Sequence, residues 1–426
     1  MFNVKKLSNG ITVISRHMDA VRSLSIGVWI KAGSNFETKE QVGISHLIEH
    51  MLFKGTDKRS AKEIAETIDG IGGSINAFTS KDCTAYYAKV LHEDAPIAID
   101  ILSDMLLHSK FDEKELQKEI NVVKEEIAMY EDSPEDVVYD LFAELAYPDH
   151  PLGLPILGYP ETVSKISVED IRNYMDDFYV SGNTVIAVAG YLPENLLELL
   201  EEYFKSYPVG DHVVELGSPT IAAGYKFAHK DIEQNHLCIG FEGVKFDSED
   251  FYAMLLLSNY FGGTSSSKLF QRIREDNGLT YSIYSHPTYF KHAGNLSIYL
   301  SYQPQNEEEI IPLIVEELLD LKQGVTEEIL ISIKNQLKGS YILGLEGSSS
   351  IMNILGKRAI YDAPLQTMDA IIESISSITL EQVHRLIDQV ISSPVAMTMA
   401  GRLEENDVKA VYEKFTSLLG GSNEKN

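Results

Sequence analysis

His46 and His50 stand four residues apart in "GISHLIEHMLFKG", residues 43–55, with Glu49 between them inside an apolar run. If the run is helical, positions i and i+4 lie one above the other on one face, with Cβ atoms about 5–6 Å apart. Two imidazoles so placed can share a tetrahedral Zn2+ at about 2.0–2.1 Å. Glu49, one residue before the second histidine, projects near the same face and could act as general base on a water in the open coordination position. The competing reading is an amphipathic helix whose apolar face is Ile44, Leu47, Ile48, Met51 and Leu52, with the histidines merely hydrogen-bonded. Burying His, Glu and His together is costly unless something satisfies them, and a metal does so.

Two histidines need a third protein ligand. The acid-rich segment 112–132 reads as a helix with Leu116, Ile120, Val123 and Ile127 as its buried stripe. Glu119 and Glu126 then fall on one flank of that stripe, two turns apart, while Glu125 points to the opposite side. Periodicity leaves Glu126 and Glu119 as alternatives, with the other orienting a ligand or the water.

The elements that must position these groups follow from the patterning. "ITVISRH" and "SLSIGVWIKAG" read as strands, "GISHLIEHMLF" and "SAKEIAETIDGIG" as helices, and "GSINAFTSKDCTAYYAKVL" as β-rich. The order recurs after a weakly patterned stretch: strand "HLCIGFEGV", helices through "DFYAMLLLSNYFGG" and "SKLFQRIREDN", then strands "LTYSIYSHPTY" and "AGNLSIYLSY". "NTVIAVAG" before "PENLLELLEEYF" matches "VAMTMAG" before "ENDVKAVYEKF". This predicts an α+β chain of two structurally similar, duplicated domains, each a mainly antiparallel sheet packed with helices. The boundaries expected are 1–210 for the zinc-binding domain, 211–225 for a linker and 226–426 for the pseudo-repeat.

Composition narrows the partners. With 36 Lys+Arg against 64 Asp+Glu the formal charge is −28, which argues against nucleic acid or an anionic membrane surface. The acidity serves solubility; a sharper reading is a negative cleft that favours basic peptides. No run of roughly 18 uncharged apolar residues occurs, and "MFNVKKLSNGITVISRH" lacks the apolar region of a signal peptide, so a cytoplasmic protein is expected. Cys83 and Cys238 sit singly in strand-like runs and read as core thiols.

HLIEH is the inverted HxxEH order, and the sequence resembles the pitrilysin/insulinase metallopeptidase family, in the branch containing mitochondrial processing peptidase and its bacterial homologues. The resemblance spans essentially the whole chain, through "HLIEHMLFKGT", "GGSINAFTSKDCTAYYAKVL", "VVKEEIAMYEDSPEDVV", "HPLGLPILG" and "LFQRIREDNGLTYSIYS". It implies Glu126 as the third ligand and Glu119 as the preceding glutamate that assists catalysis. It also implies an Arg and a Tyr from the second half, and "REDNGLTY" puts Arg274 and Tyr281 at that spacing; read alone, the segment is a helix end, a Gly C-cap and a strand start. The Tyr hydroxyl would bond the oxyanion, while the Arg would hold the substrate backbone or the Tyr. The strand after Gly72 and Gly73 resembles the family's edge strand that pairs with substrate, implying backbone contacts at Asn76 and Ala77 and an apolar pocket at Phe53. "FGGTSSSKLF" resembles a glycine-rich capture loop, which singles out Gly262 and Gly263, and Lys268 stands where relatives often carry Arg. Read alone, these are ordinary core and turn residues.

What the resemblance implies is a zinc endopeptidase, with one Zn2+ per chain, acting on extended peptides or unfolded segments in a closed chamber. Long relatives place four such domains in one chain; with two here, a chamber requires a second subunit, expected as a homodimer, with a different partner chain as the alternative. The alternative is a non-catalytic structural or peptide-binding subunit of the same fold. An intact HLIEH with Glu126 favours catalysis, because degenerate subunits lose it.

Overall fold

The structure is a computed structural model and describes residues 2–421. One sheet is built from β1 Asn3–Lys6, β2 Thr12–His17, β3 Ser23–Ile30, β4 Ser74–Thr79, β5 Thr84–Leu91 and β6 Thr184–Gly190, in the order β1-β2-β6-β3-β5-β4. The other holds β7 Gly224–His229, β8 Asn235–Glu242, β9 Thr280–Tyr289, β10 Gly294–Tyr302 and β11 Ala396–Gly401, in the order β7-β11-β8-β10-β9. Setting β1 aside, the two orders correspond strand for strand. The parallel pair falls at the same place in each, β2 with β6 and β7 with β11, and the other neighbours run antiparallel. The recurrence read from element order is thus present in the hydrogen-bonded topology, in a mixed α+β chain with two sheets packed by helices.

The first half contributes helices α1 Ile44–Leu52, α2 Ala61–Gly70, α3 Ala95–His108, α4 Glu113–Asp132 and α5 Pro134–Ala146. The first core gathers β3 and β5 residues such as Ile26, Val28, Tyr86 and Ala88 with Leu47 and Ile48 of α1, Leu102 of α3 and Leu116, Ile120, Val123 and Ile127 of α4. All four expected stripe residues of α4 are therefore inside.

The compact units are not contiguous in sequence. One comprises the chain up to Ala128 with Leu154–Leu216 and Ile342–Thr367; the other comprises Met129–Gly153, Gly217–Tyr341 and the chain from Met368. A division at 211–225 therefore assigns 129–153 and 342–367 to the wrong sheet. The reason lies in two helices. Ser348–Ile360 packs on β2, β3 and β6, and α5 packs on β7, β8 and β11. Each is received by a glycine in the central strand: a Cβ on Gly27 of β3 would meet Met352 Sδ at 2.6 Å, and one on Gly240 of β8 would meet the Phe142 ring at 2.0 Å. Sequence contiguity carries no information about which sheet an apolar stripe will cover. The start of α5 is nevertheless written locally, as Ser133 accepts the Asp136 amide and Pro134 opens the helix. Residues 208–223 hold no helix or strand, and β7 begins at Gly224, inside the expected linker.

The helix Ser348–Ile360 is tied to the β4–β5 turn. Asp82 in that turn accepts from Asn35 Nδ2 (2.8 Å) and from the Tyr361 hydroxyl (2.9 Å). This fixes the end of β4, which pairs with β5 on one side and has no strand on its other side among the described residues. No helix of the described residues is long and apolar enough to cross a membrane. Cys83 and Cys238 are free and buried, and burial raises both thiols, Cys83 to about 11.

Because Phe142 fills the space above Gly240, Gly240→Ala should overpack the seat of α5 and cost roughly 1–3 kcal/mol. The control is Gly70→Ala, whose added methyl would meet nothing within 4 Å. Thermal unfolding should show a lowered midpoint for the first variant and none for the second. Equal midpoints would mean that α5 is not seated on β8 in this way.

Candidate metal centre

Helix α1 starts where only glycine fits. Gly43 has φ +98°, and a Cβ there would meet Leu157 O at 2.7 Å. In place of a side-chain cap at that position, the carboxylate of Glu37 accepts the amides of Gly43 (2.8 Å) and Ser45 (2.9 Å). It thereby satisfies donors that a helix N-terminus leaves open. Burial pushes Glu37 up to about 7 against the pull of those two bonds. Ile44, Leu47, Ile48, Met51 and Leu52 are all buried, each worth roughly 1.5–3 kcal/mol of transfer free energy. Their combined weight seats the helix, and the polar residues on the same nine-residue segment must find partners where they land.

They land together. The His46 and His50 rings lie 4.6 Å apart, centroid to centroid, tilted by 62°. Nε2 of each is 3.7 Å from Oε2 of Glu126 on α4. His50 Nδ1 faces Glu119 Oε2 at 3.1 Å, and Glu119 Oε1 is 2.7 Å from Lys54 Nζ. A Thr79 hydroxyl, at the end of β4, donates to Glu49 Oε2 at 2.5 Å.

This arrangement fits a divalent cation. One donor atom from each of His46, His50 and Glu126 lies within 4.8 Å of the other two. Two ligands at about 2.0–2.1 Å from a tetrahedral Zn2+ would be about 3.3–3.4 Å apart, and the observed 3.7 Å to each imidazole approaches that while exceeding a hydrogen bond. Burial, then the neighbouring His50, lowers His46 to about 4, so its ring is neutral and has a lone pair to give. His46 Nδ1, the nitrogen turned away from Glu126, is buried with no hydrogen-bond partner. Glu119 contacts the opposite nitrogen of His50 and is 4 % exposed, a position from which a carboxylate can orient the ring.

Glu49 is half-buried. Burial raises its carboxyl; the Thr79 bond and His50 pull it down, and Glu126 adds to the rise. Asn76 and Ala77 lie on the edge strand β4, where the Ala77 amide donates to the Asn76 side chain at 2.8 Å. Gly72, at φ +65°, turns the chain into β4, and Gly73 passes so close to Val90 that a Cβ would meet Cγ1 at 2.9 Å. Phe53 is the C-cap of α1 and packs partly buried on the first core. The second unit holds the other expected residues. Arg274 donates to the Tyr281 carbonyl at 2.8 Å and lies 4.6 Å over its ring, leaving Tyr281 75 % exposed. Gly262 packs where a Cβ would meet the Ser285 amide at 2.5 Å, and Gly263 where one would meet Asn259 Oδ1 at 2.7 Å. Lys268 is spent on Glu317 and Asp320, at 2.9 Å each.

Two contributors were not singled out from sequence. Lys54 had a usable signal, since 46, 50 and 54 repeat at one helical face. Thr79 had none, because its bond to Glu49 depends on how α1 lies against β4.

Comparison with known proteins bears on the family and the fold. A family model described as insulinase (peptidase family M16) matches residues 12–159, and one described as peptidase M16 inactive domain matches residues 165–337. An uncharacterized zinc protease, YmxG, of Bacillus subtilis (strain 168) is 43% identical over 392 residues, covering 92% of this chain and 96% of that one. Among solved structures, a peptidase M16 inactive domain from Pseudomonas fluorescens has a TM-score of 0.88 at 20% identity, over 95% of this chain and 98% of that one. A protease from Helicobacter pylori has a TM-score of 0.86 at 23% identity, over 94% and 99%. At these identities the two structures speak for the fold.

The geometry ranks two glutamates. Glu126→Ala should weaken zinc binding by more than the roughly 10–100-fold typical of outer partners, and Glu119→Gln should fall inside that range. Chelator competition measures both, and the reverse ranking would exchange their roles.

Proposed function

This chain belongs to the insulinase (M16) family of peptidases, and on that footing we propose that it is a zinc-dependent endopeptidase cleaving extended peptides or unfolded segments. The observation that carries the reading is the convergence of His46, His50 and Glu126 around one point, with Glu49 beside them on the same helix. Zn2+, when bound there, supplies Lewis-acid polarisation of the scissile carbonyl and of water.

The chain's own residues do the rest. Glu49, with its carboxyl raised by burial, accepts the proton of the attacking water and returns it to the leaving amine. Thr79 holds Glu49 Oε2, leaving the other oxygen for that proton. Substrate backbone adds as a strand beside β4, at Asn76 and Ala77, with Phe53 offering apolar contact. Tyr281 is a hydrogen-bond donor to the developing oxyanion, braced by Arg274, and Gly262 and Gly263 belong to a loop that captures substrate. We further propose one zinc per chain, a homodimer that encloses the cleavage chamber, and a preference for basic peptides drawn by the charge of −28.

Glu49→Gln should keep zinc and lower peptide cleavage by roughly 10²–10⁴-fold, the weight of a positioned general base. A peptide-library digest by the parent and this variant, with and without chelator, reads both. Parental turnover by Glu49→Gln would remove Glu49 from the mechanism, and cleavage indifferent to chelator would remove the metal.

A further inference from the structure

We propose that Lys54 is a positioning residue of the metal centre, acting through Glu119 to hold the His50 ring in its ligating orientation. The inference rests on the reading of His46, His50 and Glu126 as zinc ligands. Its basis is that the two oxygens of one buried carboxylate have separate partners. Glu119, whose side chain is 6% exposed, meets His50 Nδ1 through Oε2 at 3.1 Å and Lys54 Nζ through Oε1 at 2.7 Å. An acceptor on Nδ1 keeps the proton on that nitrogen and leaves the Nε2 lone pair directed toward Glu126. A carboxylate gripped at one oxygen can swing about its terminal torsion, whereas one gripped at both has its plane fixed.

Lys54 can serve as that grip because its own backbone is pinned. The Phe53 amide donates to His50 O (3.2 Å) and the Lys54 amide to Met51 O (3.1 Å), so the chain continues for one turn past α1 and Lys54 stays on the histidine face. The next residues are clamped from α3. Thr56 donates to Asp104 at 2.7 Å and its hydroxyl accepts the amides of Lys58 (3.2 Å) and Arg59 (3.0 Å), while Arg59 also bonds Asp104 at 2.7 Å. Asp104 is 1 % exposed and Thr56 is fully buried. A chain of contacts therefore runs from the core of α3 through the turn to Lys54, Glu119 and the outer nitrogen of a ligand.

The test is zinc affinity by chelator competition for the full chain and for Lys54→Met, Lys54→Arg, Glu119→Gln and Lys54→Met/Glu119→Gln, with thermal midpoints of the metal-free proteins. Lys54→Met should weaken zinc roughly 10–100-fold while its metal-free form still unfolds cooperatively, with a midpoint lowered by the unpaired Glu119, and Lys54→Arg should restore affinity. In the Glu119→Gln background, Lys54→Met should cost nothing more, since it acts through that carboxylate. Parental affinity in Lys54→Met, no rescue by Arg, or additive losses in the double variant would each overturn the inference while leaving the zinc reading intact. A parent chain that binds no zinc would overturn both.

Discussion

The placement of this centre follows from one conflict on α1. Five apolar side chains drive the helix into the core, and His46, Glu49 and His50 are carried in with them. An unsatisfied buried polar group costs about 1–3 kcal/mol, so the apolar residues outweigh the polar ones, but only with compensation nearby. Glu37 closes the helix start, Thr79 takes Glu49, and Glu119 takes the far side of His50. The Nε2 atoms of both rings face Glu126 at 3.7 Å, beyond hydrogen-bond reach, and that is where a cation fits; His46 Nδ1, on the other side of its ring, has no partner either.

The duplicated half shows the same helix without the conflict. Aligning "FKGT" at 53–56 with "FGGT" at 261–264 sets Met254, Leu257 and Ser258 opposite His46, Glu49 and His50. Met254, Leu257 and Ser258 are buried, and the hydroxyl of Ser258 is satisfied locally by Ser285 at 3.1 Å. The second helix is almost wholly apolar at its buried positions. On this alignment the two helices differ at these three positions, which in the first unit are two histidines and a glutamate.

Much of this was legible in the sequence because it is local or periodic. The α1 pattern, the buried stripe of α4 and the strand runs each depend on neighbours within one or two turns, and the stripe narrowed the third ligand to Glu126 or Glu119 unaided. Ranking them needs the azimuth of α4 against α1, which periodicity does not contain; in the structure Glu126 faces both Nε2 atoms and Glu119 faces one Nδ1, which is why Glu126 is the proposed ligand. The exchange of α5 and Ser348–Ile360 between units was illegible for a related reason. Phe142 and Met352 read as core residues wherever they are buried, and the glycines that receive them, Gly240 and Gly27, lie about a hundred or more residues away. Thr79 is of the same kind, an ordinary strand residue until β4 is laid beside α1.

The central claim is that two imidazoles and one carboxylate from the first unit hold zinc. X-ray absorption at the zinc edge of the purified chain tests it most directly. The account predicts nitrogen and oxygen scatterers at about 2.0–2.1 Å with the outer-shell signature of two histidines. A sulfur shell near about 2.3 Å, from Cys83 or Cys238, or a spectrum without histidine, would contradict it.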